Sequence, residues 1–79
     1  MRLAVTHEIE VSPTEFGRIL TGKQFLVLRS EADFQDGDRL VILERDHQAE
    51  WHTGRVLVRI GDVERVEGLV VVGLRETRG

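Results

Sequence analysis

The sequence predicts a mostly β, α+β fold in a single domain spanning residues 1–79, built as a small five- to six-stranded pseudo-barrel with one N-terminal helix at about residues 13–21. Three observations predict it. Short apolar runs recur with polar turns between them, only one segment near the start shows helical spacing with its own caps, and the later connections leave little room for crossover helices. The strands are therefore mostly antiparallel, and the helix plugs one end of the barrel.

Residues 3–11 alternate loosely and carry Val5, Thr6, Ile9 and Val11, residue types that favour a strand. Ser12-Pro13-Thr14-Glu15 then supplies an N-cap serine, proline at the first helical position and glutamate at the third, the elements of a capping box. Phe16, Ile19 and Leu20 give the helix one apolar face, and Gly22 suits the left-handed residue that ends it. Residues 24–29 hold the continuous run Phe25-Leu26-Val27-Leu28, too short for a helix, which predicts a strand buried on both faces. Asp36-Gly37 ends the polar loop that follows. Residues 39–44 form the next apolar strand, residues 45–54 a polar hairpin tip, and residues 55–60 the returning strand with Val56, Val58 and Ile60 on one face. Residues 69–74 close the chain as a final strand.

The totals narrow the classes. Seventy-nine residues make one domain, close to the lower limit for a self-sufficient core. An apolar share of 41% with 32% charged residues of mixed sign describes a folded, well-solvated domain rather than a disordered chain. With no cysteine there is neither a disulfide framework nor a thiol nucleophile, so the cytoplasm is the expected compartment. Neither a signal-peptide core nor an apolar run of membrane-spanning length is present, and no membrane association is expected. A net charge of −3 argues against a broad electrostatic grip on duplex nucleic acid. Local basic sites remain open, and the single lysine, Lys23, draws attention to its surroundings.

Several constellations have competing readings. Gly17-Arg18-Ile19-Leu20-Thr21-Gly22-Lys23-Gln24 nearly matches the phosphate-loop pattern, but it ends a helix and opens a strand, the reverse of the required context, and Gln24 replaces the hydroxyl residue. Asp36-Gly37-Asp38 reads as a turn, since the further oxygen ligands of a calcium loop are missing. His7, His47 and His52 lack metal-motif spacing and read as solvated side chains. Trp51, in the hairpin tip, suits either stacking on a base or packing across its own hairpin. Lys23 just past a helix C-terminus complements the macrodipole, or else it serves a ligand. Arg29 ends an apolar strand, where it either snorkels at the rim or points into a polar pocket.

Taken in order, the pieces resemble the ASCH superfamily of PUA-like domains, most closely its small single-domain branch of unknown function found in bacteria and phages. The matching residues are Thr6-His7-Glu8-Ile9, a helix with Phe16, Gly22-Lys23 at its end, Phe25 through Arg29, Phe34 before Gly37-Asp38, Leu40 through Glu44, Thr53-Gly54-Arg55 and the closing strand. The resemblance implies a PUA-like pseudo-barrel whose cleft, between the helix and the loop after it, holds RNA or a nucleotide-like ligand. It places Lys23 and Arg29 in that cleft, where a point charge and a planar fork of donors suit a phosphate or the acceptor edge of a base.

Some members of that superfamily are amidohydrolases acting on an acylated cytidine through a lysine, a threonine nucleophile and an acid in a helical insertion. Here Val27 stands at the threonine position and has no hydroxyl to attack a carbonyl. The close branch usually has glutamate at that position, and Val27 lacks this carboxylate too. Residues 62–68 are too few for the insertion, so neither Glu64 nor Glu67 takes the acid's role, and no catalytic residue is assigned. The expectation is a binding module for RNA or a nucleotide-like ligand, with Lys23, Arg29 and more weakly Arg55 as ligand-binding residues, and with no cofactor or metal. The alternatives are a small amidohydrolase or ribonuclease with Lys23 as general base, and a protein-interaction accessory factor that offers an edge strand to a protein partner.

Overall fold

The computed structural model describes residues 3–46 and 54–75. In chain order these form β1 (Thr6–Val11), α1 (Pro13–Leu20), β2 (Phe25–Leu28), β3 (Arg39–Glu44), β4 (Gly54–Val66) and β5 (Leu69–Arg75). The fold is mostly β with one helix among the described residues, as the sequence pattern predicts. All five strands join one mixed sheet in the order β1-β3-β4-β5-β2. β1 runs parallel to β3, and the other three pairings are antiparallel.

The helix follows its caps. Ser12 Oγ accepts from the Glu15 N–H at 3.2 Å, and the Ser12 carbonyl accepts the first helical bond from Phe16 at 2.8 Å. At the other end Gly22 takes φ of 111°, its N–H donates to the Ile19 carbonyl at 3.2 Å, and the Lys23 N–H donates to the Arg18 carbonyl at 3.0 Å. These two bonds are those of a Schellman motif, and they satisfy carbonyls that would otherwise lack donors. Thr21 is thus the cap, and the helix stops at Leu20, one residue before the predicted end.

One face of the sheet carries the core. Leu26, Leu40, Ile42, Ile60, Val70 and Val72 are almost completely buried there, and α1 adds Phe16 and Ile19 to the same cluster. His7, Ile9 and Val11 alternate inward along β1 opposite Leu40, Ile42 and Glu44.

Two expectations are corrected. β2 is not buried on both faces: Leu26 is 2% exposed, but Phe25 and Val27 are each 51% exposed. It lies at an edge of the sheet, and among the described residues no strand pairs with its other side. The returning strand of the hairpin does not stop at Ile60 but continues to Val66 as the second half of β4, beyond a register shift between Ile60 and Val63. Gly73 makes that irregularity possible, since a Cβ there would stand 3.2 Å from both the N and the O of Asp62. β4 then turns into β5 through Glu67-Gly68, both with positive φ, as a tight two-residue hairpin requires. The β3–β4 hairpin itself pairs as expected, from Arg39 opposite Arg59 to Glu44 opposite Gly54. His47, Trp51 and His52, read as belonging to its tip, lie outside the described residues.

Candidate functional site

The Schellman turn throws Lys23 out of the helix and into the approach to β2, with its side chain about one quarter exposed. Its Nζ does not stay at the C-terminal carbonyls, as a simple dipole role would have it. Lys23 Nζ instead donates to Glu15 Oε1 in the first helical turn. It also lies over the Phe25 ring, 5.7 Å from the centroid. Glu15 is therefore shared between two tasks, its N–H closing the N-cap and its carboxylate orienting Lys23, with Arg18 Nη1 3.8 Å away.

Beside Lys23 opens a cavity of about 620 Å³ between the end of α1, the middle of β4 and the end of β5. Ile19, Val56, Val58 and Leu74, which pack together in the core cluster, contribute apolar wall, while Lys23, Gln24 and Arg75 contribute donors and Asp62 an acceptor. The volume falls within the roughly 300–1,000 Å³ usual for small-ligand sites, and the lining, polar and apolar in about equal measure, is more polar than is usual for them. Two cations stand against one carboxylate in the lining, but Glu15 and Asp36 pair with them from outside it, so the wall carries no excess of positive charge. Arg75 is held as Lys23 is, by a carboxylate outside the cavity lining: its Nη2 lies 3.3 Å from Asp36 Oδ2. Arg75 also lies across Gly61, where a Cβ would come within 3.1 Å of its Nε.

Arg29 does not join this cavity. It lines a separate concavity of about 550 Å³ with Ser30, Glu31, Arg65, Gly68 and Leu69, at the far end of β2. Arg65 there is committed to the main chain, donating to the Ser30 carbonyl at 3.4 Å and to the Ala32 carbonyl. Arg55 lines neither concavity; it is exposed on the outer face of β4, opposite Leu43. The structure thus brings Lys23 together with Arg75 and Gln24, and it sets Arg29 and Arg55 apart from them.

A second polar cluster escaped sequence reasoning. Asp38, read there only as part of a turn, is 1% exposed; its Oδ1 accepts from the Val5 N–H at 3.1 Å, and its Oδ2 accepts from the Gln35 N–H at 3.2 Å and lies 2.8 Å from His7 Nε2. His7 is correspondingly not a solvated side chain. Only 12% of it is exposed, and its ring packs at 4.6 Å against Phe34. This cluster ties β1 to the turn before β3, so its carboxylate is a structural acceptor with its donors already in place. Gly37, with φ of 92°, does form the expected turn. Among the described residues no group of three or more metal-ligating side chains converges.

Residues 6–73 match the family described as Domain of unknown function (DUF3850). The chain belongs to that family. The match begins with the first residue of β1 and ends at Gly73, so this DUF3850 domain carries Lys23, Arg29 and Arg55 inside the matched region and Arg75 just beyond it. No curated protein matches the chain. Among the described residues no helix is long and apolar enough to cross a membrane.

Proposed function

We propose that this DUF3850 domain is a cytoplasmic binding module for a nucleotide-like ligand or the nucleotide of an RNA, and that the cavity beside Lys23 is where it binds. The observation that carries the reading is the pairing of Lys23 with Arg75 across one apolar-walled cavity, each cation aimed by its own carboxylate. A base fits against the wall formed by Ile19, Val56, Val58 and Leu74, Gln24 and Asp62 offer a donor and acceptors to its edge, and the cations take the phosphate. The resemblance to ASCH and PUA-like domains supports the same end of the helix. Arg29 then serves a neighbouring nucleotide of a longer RNA, along the outward face of β2, rather than the same phosphate as Lys23.

Titration calorimetry with the four nucleoside monophosphates and with a short single-stranded RNA tests this. Lys23→Ala and Arg75→Ala are each expected to weaken monophosphate binding by about tenfold or more, the usual scale for losing a charge-assisted contact. Arg29→Ala should leave monophosphate binding unchanged and weaken only the RNA. Equal loss for both probes in Arg29→Ala, or no loss in the other two variants, would overturn the assignment.

A further inference from the structure

The cross-strand register sets three arginines in one line. Arg39 of β3 stands opposite Arg59 of β4, and Arg59 stands opposite Arg75 of β5. Directly paired residues share a face of the sheet, and the chain neighbours Leu40, Val58, Ile60 and Leu74 turn to the core face. The three arginines therefore lie side by side on the outer face, all exposed, across two strand spacings or about 10 Å. Like charges set directly opposite one another destabilise a sheet. Here that conflict occurs in two consecutive pairings. The rows further along are mixed: Glu8, Val41 and Leu57 form one, and Glu10, Leu43 and Arg55 the next. The arginine row ends on β1 at Thr6, which carries no charge. Asp36 accepts from Arg75 at 3.3 Å, and Arg59 Nη1 donates to the Gly37 carbonyl at 3.4 Å. Among the described residues Arg39 makes no ion pair or side-chain hydrogen bond, not even with Glu8 diagonal to it. Three cations thus meet one carboxylate, and the row is basic on a chain of net charge −3.

We propose that Arg39, Arg59 and Arg75 form a track for the sugar-phosphate backbone of single-stranded RNA, leading to the cavity beside Lys23. This rests on the nucleotide reading of that cavity and extends it, because Arg75 both ends the row and lines the cavity. The continuity favours a strand over a free nucleotide. A lone nucleotide fills the cavity and leaves Arg39 and Arg59, on the far side of Arg75, with nothing to bind. A strand supplies one phosphate after another, each suited to a planar guanidinium fork. Three contacts in line suit one flexible strand rather than the broad grip on a duplex that an acidic chain opposes. β2 lies on the other side of β5 from β4 and β3, so Arg29 and the row serve different nucleotides of the same strand.

Salt dependence counts phosphate contacts, since each one lost from a single-strand site lowers the slope of log K against log salt by about 0.7. Fluorescence anisotropy of a labelled short single-stranded RNA across a potassium chloride series reads that slope. Arg39→Ala and Arg59→Ala should each make it shallower by about 0.7 and weaken binding about fivefold at low salt. Arg39→Lys keeps the charge and should keep the slope. Nucleoside monophosphate binding, read by calorimetry, should be unchanged in all three variants, which separates the row from the cavity. The urea midpoint of Arg39→Ala should stay or rise, because a cross-strand repulsion is relieved, and a fall would make Arg39 a structural partner and overturn its assignment. Full RNA affinity with an unaltered slope in both alanine variants overturns the track and leaves the cavity reading in place. Failure of the monophosphates to bind the unaltered chain overturns the cavity reading instead, and the RNA slopes still judge the row. A chain that binds polyglutamate as tightly as RNA through the same arginines serves an acidic protein segment and overturns the inference, as does a chain that binds no RNA.

Discussion

β2 and β3 carry apolar runs of closely similar character, Phe25-Leu26-Val27-Leu28 and Leu40-Val41-Ile42-Leu43, yet the sheet treats them differently. All four apolar residues of β3 are buried, whereas β2 buries Leu26 deeply and leaves Phe25 and Val27 half exposed. The cause is position rather than composition. β3 has a strand on each side, so its outward Val41 and Leu43 are flanked by Glu8 and Glu10 of β1 and by Leu57 and Arg55 of β4. β2 has β5 on one side only. An apolar run therefore shows that a strand exists and leaves open how many of its faces are covered.

The sharpest way to break this comparison is to truncate the same kind of side chain at graded positions and follow urea unfolding. Ile42→Ala removes a completely buried side chain in the middle of the sheet and should cost about 3–5 kcal/mol, through lost burial and the cavity left behind. Leu26→Ala, on the inward face of the edge strand, should cost about 2–4 kcal/mol, because a strand with one free side can relax partway into the space. Val27→Thr, on the outward face, should cost less than about 0.5 kcal/mol. If Val27→Thr proved as costly as Leu26→Ala, the outward face of β2 would have to be covered within one chain, and the contrast with β3 would collapse.

What the sequence revealed depended on range. The helix was legible at both ends because its signals are local: Ser12 and Pro13 at the start, Gly22 at the end. β3 and its hairpin partner were legible from alternation and polarity. The second half of β4 was not, because Asp62-Val63-Glu64-Arg65 has the polarity of a loop, and Glu67-Gly68 is not one of the Asn-Gly or Asp-Gly pairs that announce a tight hairpin. The parallel pairing of β1 with β3 rests on contacts across more than thirty positions, for example His7 with Asp38, and no short-range pattern encodes it. The burial of Asp38 was hidden for the same reason, since its donors come from Val5 and His7.

The candidate site was legible in part. Gly22-Lys23 correctly marked a helix end beside a concavity, and the single lysine does line it. Grouping it with Arg29 was at odds with strand geometry: six residues of extended chain span about 20 Å, too far for both to grip one phosphate. Arg75 was missed because nothing at the end of β5 announces that the strand returns alongside Gly61 and the helix terminus. Its position is a product of the sheet order alone.

That order also has a consequence in time. β2 is made early on the ribosome, but the strand that receives its hydrogen bonds, β5, is made last among the described elements. Until Leu69–Arg75 has emerged and folded back on β4, Phe25-Leu26-Val27-Leu28 is an apolar segment with neither ladder nor core to occupy. The domain therefore cannot be assembled progressively from its N-terminus. Its closing waits for the last of the described strands and has high sequence separation, which makes it slow. Slowing the release of the final strand should leave β2 open to chaperones and proteases for longer than any other element.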